Sequence, residues 1–447
     1  MHTTSLFGTD GIRGRALVPP LDRDTVTAVG RALADILGED GGDRHLLLAG
    51  DTRASTDTLA EWLGGGFQAG GGTLTWGGVL PTPAVSQLLR TGGWSAGVVI
   101  SASHNPAHDN GIKILGATGE KIADRSERRI EDRLGTVDIP PNGSLPPLPT
   151  PDRDLADRYV DLVLATHDRP TPLAGLHVVV DTAHGAASGF ASELLERLGA
   201  RVTSIASSPD GTNINALCGA TAPQQLQRTV VELGADAGLA LDGDADRAVL
   251  VDETGRLFDG DDILLAWGRH LAGADRLPGR AVVATVMSNF GLERALEAER
   301  IRLIRSAVGD RSVWLAMRES GSALGGEQSG HVICAHHTVS GDGLVTGTHV
   351  LAIAASQGVP LSSVSGLERM PQVLLNVQVV RKPPFDRVPA VARQLAHTEA
   401  RLGHRGRVLL RYSGTEPLAR VMIEGEDAEE ITALATSLAE TIRTELS

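Results

Sequence analysis

His45-Leu46-Leu47-Leu48-Ala49-Gly50, followed by Leu59-Ala60-Glu61-Trp62-Leu63, decides the class of fold. The first run is continuously apolar, short, and ends in glycine; the second spaces its apolar side chains as a helix does. A buried strand, a small-residue turn and an amphipathic helix make the first half of a crossover on a parallel sheet. The pattern returns at His177–Val180 with a helix over Ala191–Leu198, and at Ala281–Val286 with a helix over Gly291–Ala298. The spacing predicts one α/β design used three times. Only 3% of the residues are aromatic, so the core is aliphatic, and many of the 53 glycines stand where an apolar run ends. Glycine there permits positive φ and close approach of backbone to a ligand.

Breaks in composition divide the chain. Residues 137–152 carry Pro140, Pro141, Pro146, Pro147, Pro149 and Pro151, as a linker or an edge-hugging loop does. A polar turn follows at Asp252-Glu253-Thr254-Gly255 and a third break near Gly366. Beyond it Val373–Val380 alternates like a strand, and Asp427, with Glu430 at N3, caps a helix running to the C-terminus. The expected domains are 1–152, 153–252 and 253–366, all α/β with mixed, largely parallel sheets, and a smaller α+β domain over 367–447.

Charge and composition exclude several classes. With 447 residues, 41% hydrophobic and 21% charged, the chain is too apolar for global disorder. A net charge of −14 argues against general affinity for nucleic acid or anionic lipid. No apolar run approaches a membrane span, and Met1-His2-Thr3-Thr4-Ser5 has no secretory pattern. Cys218 and Cys334 are too few for a disulfide framework, so a cytoplasmic setting is expected.

Four loops carry chemistry. In Gly97-Val98-Val99-Ile100-Ser101-Ala102-Ser103-His104-Asn105-Pro106 a buried strand delivers Ser103 at its polar end, and Pro106 stops regular structure. Asn110-Gly111-Ile112-Lys113 adds a cation suited to a phosphate or to carrying a proton. In Leu241-Asp242-Gly243-Asp244-Ala245-Asp246-Arg247 three carboxylates alternate on one short loop. Each pair about 4 Å apart costs on the order of 4 kcal/mol at an effective dielectric near 20 unless a cation intervenes. Hard oxygen ligands select Mg²⁺ or Ca²⁺. Glu253 stands at position 12 of an EF-hand count, but position 6 is Arg247 where that loop needs glycine, and both flanks read as strands. Three protein oxygens leave room on Mg²⁺ for a phosphate oxygen. In Gly325-Gly326-Glu327-Gln328-Ser329-Gly330-His331, glycines expose Glu327, Ser329 and His331 to a polyol. In Arg411-Tyr412-Ser413-Gly414-Thr415-Glu416-Pro417-Leu418-Ala419-Arg420, two arginines flank two hydroxyls and several N–H groups, the set a phosphate requires. Gly64-Gly65-Gly66 imitates a dinucleotide fingerprint but sits inside a helical stretch and is set aside.

Together with Phe7-Gly8-Thr9-Asp10-Gly11-Ile12-Arg13-Gly14 and Gly309-Asp310-Arg311, these loops in this order resemble the α-D-phosphohexomutase superfamily over essentially the whole chain. The resemblance implies four domains around a central cleft, each contributing one loop. It implies that Ser103 is a phosphoserine in the resting enzyme. Asp242, Asp244 and Asp246 would hold one Mg²⁺ together with an oxygen on Ser103. Arg13, His104, Lys113 and Arg247 match positions around the transferring phosphoryl group, with Lys113 and His104 both candidates for the general base. Glu327, Ser329 and His331 would contact the sugar. Arg411, Ser413, Gly414, Thr415 and Arg420 would grip the phosphate that is not reacting. A sugar bisphosphate, glucosamine 1,6-bisphosphate or similar, would be both intermediate and activator.

Gln328 resembles the glucosamine-selective branch, whereas phosphomannomutase/phosphoglucomutase relatives carry methionine there. The expected reaction is therefore glucosamine 6-phosphate to glucosamine 1-phosphate, on a small phosphosugar, by a monomer or homodimer without nucleic acid or membrane. A non-catalytic phosphosugar-binding regulator has no need for a serine beside a metal loop. A phosphatase would pass the phosphoryl group to water. Two positions depart from the family's pattern: His184, where asparagine is usual, and Ser306, where threonine is.

Overall fold

The structure, a computed structural model, describes residues 6–8, 10–141, 143–413 and 416–447. In the first sheet β1 (Ile12–Arg15), β2 (His45–Gly50), β3 (Thr73–Val79), β4 (Ala96–Ile100) and β5 (Asp109–Gly116) run in the order β1-β5-β4-β2-β3. β3, β2 and β4 are parallel; β5 turns back against β4, and β1 against β5. Leu46, Leu48, Val98 and Ile100 pack on one face with Val26, Val29, Leu63 and Phe67 of the helices Arg23–Glu39 and Thr56–Ala69. Leu47 and Val99 point the other way and are equally buried, as the period of two requires in a sheet covered on both faces. Each such side chain contributes roughly 1.5–3 kcal/mol of burial. The glycines of the imitation fingerprint serve packing: a Cβ on Gly66 would lie 2.1 Å from the Thr27 carbonyl oxygen of the neighbouring helix.

The design repeats. β6 (His177–Asp181), β7 (Arg201–Ile205), β8 (Ala237–Leu241), β9 (Ala248–Asp252) and β10 (Leu257–Phe258) form a second sheet in the order β10-β9-β8-β6-β7, with the same parallel trio and the same reversal at its third strand. β11 (Ala281–Thr285), β12 (Arg302–Ser306), β13 (Leu324–Gly326) and β14 (Val332–Cys334) form a third, ordered β12-β11-β13-β14. The boundary drawn at Asp252 falls inside a hairpin: Leu257 and Phe258 pair with Val251 and Leu250, so the second sheet extends to Phe258. Asp252–Gly255 is that hairpin's turn, whose polarity imitates a linker. The proline-rich stretch hugs an edge, with Val137 and Leu148 against the first core.

β15 (Gln372–Gln378), β16 (Gly406–Tyr412) and β17 (Leu418–Gly425) make an antiparallel sheet ordered β15-β17-β16, covered by the helices Pro389–Leu402 and Ala428–Leu446. Asp427 caps the last helix, accepting from the N–H groups of Glu429 and Glu430 at 2.9 and 3.0 Å. The chain divides into two compact units, Met1–Thr285 with Ile304–Gly366, and Val286–Leu303 with Leu367–Ser447. The helix Phe290–Ala298 falls in the second of these units. Asn289 Nδ2 donates to Glu424 Oε1 at 3.1 Å and to the Met370 carbonyl at 3.1 Å, and Arg294 pairs with Glu426. Among the described residues no helix is long and apolar enough to cross a membrane.

Asp342 ties together three parts of the first unit. It caps the helix Gly343–Gln357 by accepting from Val345 N–H at 3.0 Å, and it accepts from Tyr159 Oη at 3.0 Å and Gln87 Nε2 at 2.7 Å. Burial pushes its carboxyl up to about 6, against the donors that favour the anion. Because the folded value lies above the ordinary one, the folded state binds this proton more tightly. This contribution to stability is present at low pH and is lost as pH rises toward about 6. Asp342→Ala leaves three buried donors without an acceptor and should cost about 3 kcal/mol or more, read as a fall in melting temperature of several degrees. Asp342→Asn keeps the cap and one acceptor oxygen, and should stay within about 1 kcal/mol of the parent. Equal losses in the two variants would contradict this account of the bonds.

Candidate active site

In each of the first three sheets the chemistry-bearing loop occupies the same topological position. It follows the parallel strand at which the sheet reverses (β4, β8 or β13) and leads into the antiparallel partner (β5, β9 or β14). These loops hold Ser103, the three aspartates and Glu327–His331, and they touch. Ser103 Oγ donates to Asp242 Oδ2 at 2.6 Å and lies 3.2 Å from His104 Nδ1. Lys113, on β5, reaches Asp244 Oδ2 at 2.7 Å and Asp246 Oδ2 at 2.9 Å. Ala248 N–H donates to the Gly330 carbonyl at 3.1 Å, joining the second loop to the third.

Burial makes these charges costly. Ser103 and Lys113 are 1% exposed, and Asp242, Asp244 and Asp246 are 1%, 0% and 6% exposed. Desolvation, then repulsion from Asp246 and Asp244, pushes the Asp242 carboxyl well above its ordinary range. For Asp246 desolvation is overcome by Lys113, His331 and Arg247, which hold it below that range. Burial alone would discharge Lys113, but Asp10, Asp244 and Asp246 outweigh it and keep the ammonium charged far into alkali. Burial, with Arg247 and Arg13 nearby, lowers His104 to about 4, so its imidazole is neutral near neutral pH. Ser103 has φ 51°, a left-handed conformation that costs a non-glycine residue about 1–3 kcal/mol and is held by its surroundings.

A cavity of about 440 Å³ opens beside the serine, lined by Asp10, Arg13, His104, Asp246, Arg247, Glu327 and His331. Arg13 pairs with Asp10 and donates to the Ala102 carbonyl at 3.1 Å. Glu327 Oε1 accepts from Gly309 N–H at 2.9 Å, which ties the third loop to Gly309-Asp310-Arg311. Ser329 is exposed and is not among the cavity's lining residues. In the C-terminal unit, Arg411 and Arg420 stand directly opposite each other across the β16–β17 ladder. Like charges so placed repel, and Arg420 Nη2 donates to Glu416 Oε2 at 3.0 Å. Ser413 lies beside them, and Lys382 Nζ donates to the Ser413 and Glu416 carbonyls at 2.7 and 2.8 Å. Gly414 and Thr415 lie outside the described residues.

Sequence profiles of the phosphoglucomutase/phosphomannomutase family match residues 4–139 as its α/β/α domain I, 157–255 as domain II, 259–370 as domain III and 374–441 as its C-terminal domain. The chain belongs to the phosphoglucomutase/phosphomannomutase family. Among relatives in this family, the phosphoglucosamine mutase of Solibacter usitatus is 44% identical over 442 residues, 99% of each chain. That of Myxococcus xanthus is 44% identical over 447 residues, 99% of this chain and 97% of its own. A phosphoglucomutase/phosphomannomutase family protein from Burkholderia thailandensis superposes with a TM-score of 0.81 at 23% identity, over 100% of this chain and 98% of its own. The N-acetylphosphoglucosamine mutase of Aspergillus fumigatus, in complex with GlcNAc-6P and magnesium, has the same fold at a TM-score of 0.64 and 19% identity, over 99% of this chain and 96% of its own.

The donor set fits a divalent cation. One carboxylate oxygen from each of Asp242, Asp244 and Asp246 lies within 4.8 Å of the others. Asp244 Oδ1 and Asp246 Oδ1 are buried without a hydrogen-bond partner, oxygens a hard cation would satisfy. Several residues that shape the site for this family member were not legible as functional. Asp51 and Arg53, at the end of β2, brace the serine loop, and Asn215 Nδ2 donates to the Ser103 and Asn105 carbonyls at 2.9 and 3.1 Å. Lys121 pairs with both Asp10 and Asp310. The signal available for Asp51 and Arg53 was their place after Gly50, where a parallel strand ends.

Millimolar Mg²⁺ should raise the melting temperature of the parent by relieving the carboxylate repulsion. In Asp244→Asn the increment should fall to near zero, although the variant's own metal-free stability rises or holds. An undiminished Mg²⁺ increment in that variant would place the cation elsewhere.

Proposed function

We propose that this chain interconverts glucosamine 6-phosphate and glucosamine 1-phosphate, the activity of a phosphoglucosamine mutase, in the cytoplasm, where it supplies amino-sugar nucleotide synthesis. The observation that carries the reading is Ser103 Oγ, 2.6 Å from Asp242 at the mouth of three buried carboxylates, in a chain that shares 44% identity with relatives of that name over nearly its full length. The reading of Gln328 toward glucosamine rests with those relatives.

In this mechanism Ser103 carries a phosphoryl group. Asp242, Asp244 and Asp246 would hold Mg²⁺ with an oxygen on that group, and the ion when bound supplies charge neutralisation at the transferring oxygens. The P–Oγ bond breaks as a sugar hydroxyl oxygen bonds to phosphorus. The hydroxyl proton passes to a base, and Ser103 Oγ takes up a proton as it leaves. Of the two candidates His104, a neutral imidazole, can accept it, whereas Lys113, held as a charged ammonium by Asp10, Asp244 and Asp246, serves as a cation. Arg13, Lys113 and Arg247 offset the anionic oxygens in a water-poor site, so positioning and electrostatics carry most of the rate. The sugar bisphosphate then turns end over end, and Ser103 reclaims the other phosphate by the reverse steps. Glu327, Ser329 and His331 hold the sugar in either orientation. Arg411, Ser413, Gly414, Thr415 and Arg420 seat the phosphate that is not reacting.

A coupled assay with Mg²⁺ and a trace of hexose bisphosphate tests this. Ser103→Ala should lower kcat by at least about 10³-fold. The parent should have its highest kcat/KM on glucosamine 6-phosphate among the glucosamine, mannose and glucose phosphates. A higher value on mannose or glucose phosphate would overturn the substrate, and release of free phosphate as fast as isomerisation would overturn the mutase in favour of a phosphatase.

A further inference from the structure

Arg53 is buried, its side chain 0% exposed, and it touches neither the aspartate triad nor the cavity beside Ser103. A guanidinium has five N–H donors in a rigid fork. Here the five meet five acceptors. Nε donates to Asp51 Oδ2 at 2.9 Å, Nη1 to the carbonyls of Pro106 and, at 3.0 Å, Asp109, and Nη2 to the carbonyls of Ser103 at 3.0 Å and Asn105 at 2.8 Å. Four of the five acceptors are backbone oxygens, three in the loop between β4 and β5 and one, Asp109, at the first residue of β5, so one side chain holds the loop together from Ser103 to the start of that strand.

Asp51 completes the device from the other side. Its Oδ2 accepts from Ser101 Oγ at 2.6 Å, and Ser101 Oγ accepts in turn from Ser103 N–H at 2.9 Å. The N–H and the C=O of Ser103 are therefore both tied to the Asp51–Arg53 pair, one through Ser101 and one directly. That fixes the peptide planes on either side of a residue held at φ 51°. The position of the pair follows from the sheet. β2 lies parallel beside β4, so the turn after Gly50 ends level with the loop after Ile100, and Asp51 N–H donates to the Ile100 carbonyl at 3.0 Å.

We infer that Arg53, with Asp51 and Ser101, is a positioning residue for phosphoryl transfer: it holds Ser103 in its left-handed conformation so that Oγ faces Asp242. The inference rests on the mutase reading. Arg53 makes no substrate contact, so its loss should act on kcat and leave KM nearly unchanged. A lysine cannot reach four carbonyls that a planar fork spans.

The test compares steady-state kinetics of the intact parent, Arg53→Lys and Ser101→Ala on glucosamine 6-phosphate with Mg²⁺ and a hexose bisphosphate. Alongside, mass spectrometry follows the rate at which Ser103 gains phosphate from the bisphosphate alone. Arg53→Lys should lose about 100-fold in kcat, with KM within about threefold, and should phosphorylate Ser103 correspondingly slowly, since an ångström of misplacement costs about that much. Ser101→Ala removes only one hydroxyl, and should lose about tenfold in kcat with KM unchanged. Leu33→Ala, in the core of the same domain, serves as the control for lost stability alone and should keep the parent's kcat. If Arg53→Lys does not fold, Ser101→Ala decides. Variants within threefold of the parent's kcat, or losses matched by Leu33→Ala, overturn the positioning role. A parent that neither turns over the sugar nor phosphorylates Ser103 overturns the mutase reading and this role with it.

Discussion

Packing negative charge at the end of β8 is the constraint on which the rest of the structure depends. Asp242, Asp244 and Asp246 offer oxygens within 4.8 Å of one another in a largely buried site. Such a cluster is stable only if cations are built in around it. Lys113 answers two of the three carboxylates directly, and Arg247 adds its charge from the loop's end. Buried ion pairs of this kind contribute little net stability because desolvation offsets attraction. What they provide is a fixed, water-poor field at Ser103, the kind of preorganised environment that the proposed phosphoryl transfer would use.

Topology places these groups without long loops. Each of the first three sheets reverses direction after the same parallel strand, and each reversal exposes a short loop at the carboxyl end of the sheet. Open α/β sheets bind ligands at that end. The first loop brings a buried serine, the second carboxylates and the third polar side chains, so one supersecondary design presents three kinds of side-chain chemistry. The rigidity comes from beneath. Aliphatic strands buried on both faces fix the carboxyl ends, and Asp51 and Arg53 carry that order from β2 into the serine loop. Apolar strands fix the strand ends, and the strand ends hold a strained serine.

Much of this was legible in the amino-acid order. The strand at His45–Gly50, the helix capped by Asp427 and the triple aspartate announce themselves because apolar period, capping chemistry and charge repulsion are local. The tripled α/β design showed through its repeating strand–helix pairs. What escaped depends on tertiary neighbours. Arg53 looks like an ordinary surface arginine until β2 and β4 are set side by side. Asp252–Gly255 has the composition of a linker, but Leu257 and Phe258 return it to the second sheet. Phe290–Ala298 follows β11 as a crossover helix should, yet Asn289 and Arg294 bond to Glu424 and Glu426, partners far along the chain. His184 has φ 49°, a left-handed conformation that histidine, like asparagine and aspartate, adopts more readily than most side chains.

In the proposed reaction Ser103 holds a phosphoryl group and exchanges it with a phosphosugar. The most direct measurement is a single-turnover experiment with enzyme labelled at phosphoserine 103 and mixed with unlabelled glucosamine 6-phosphate and Mg²⁺. The proposed reaction requires the label to leave the protein and appear in sugar bisphosphate, then in sugar monophosphate, with the enzyme left rephosphorylated. Label that stays on Ser103, or leaves only as free phosphate, would contradict it.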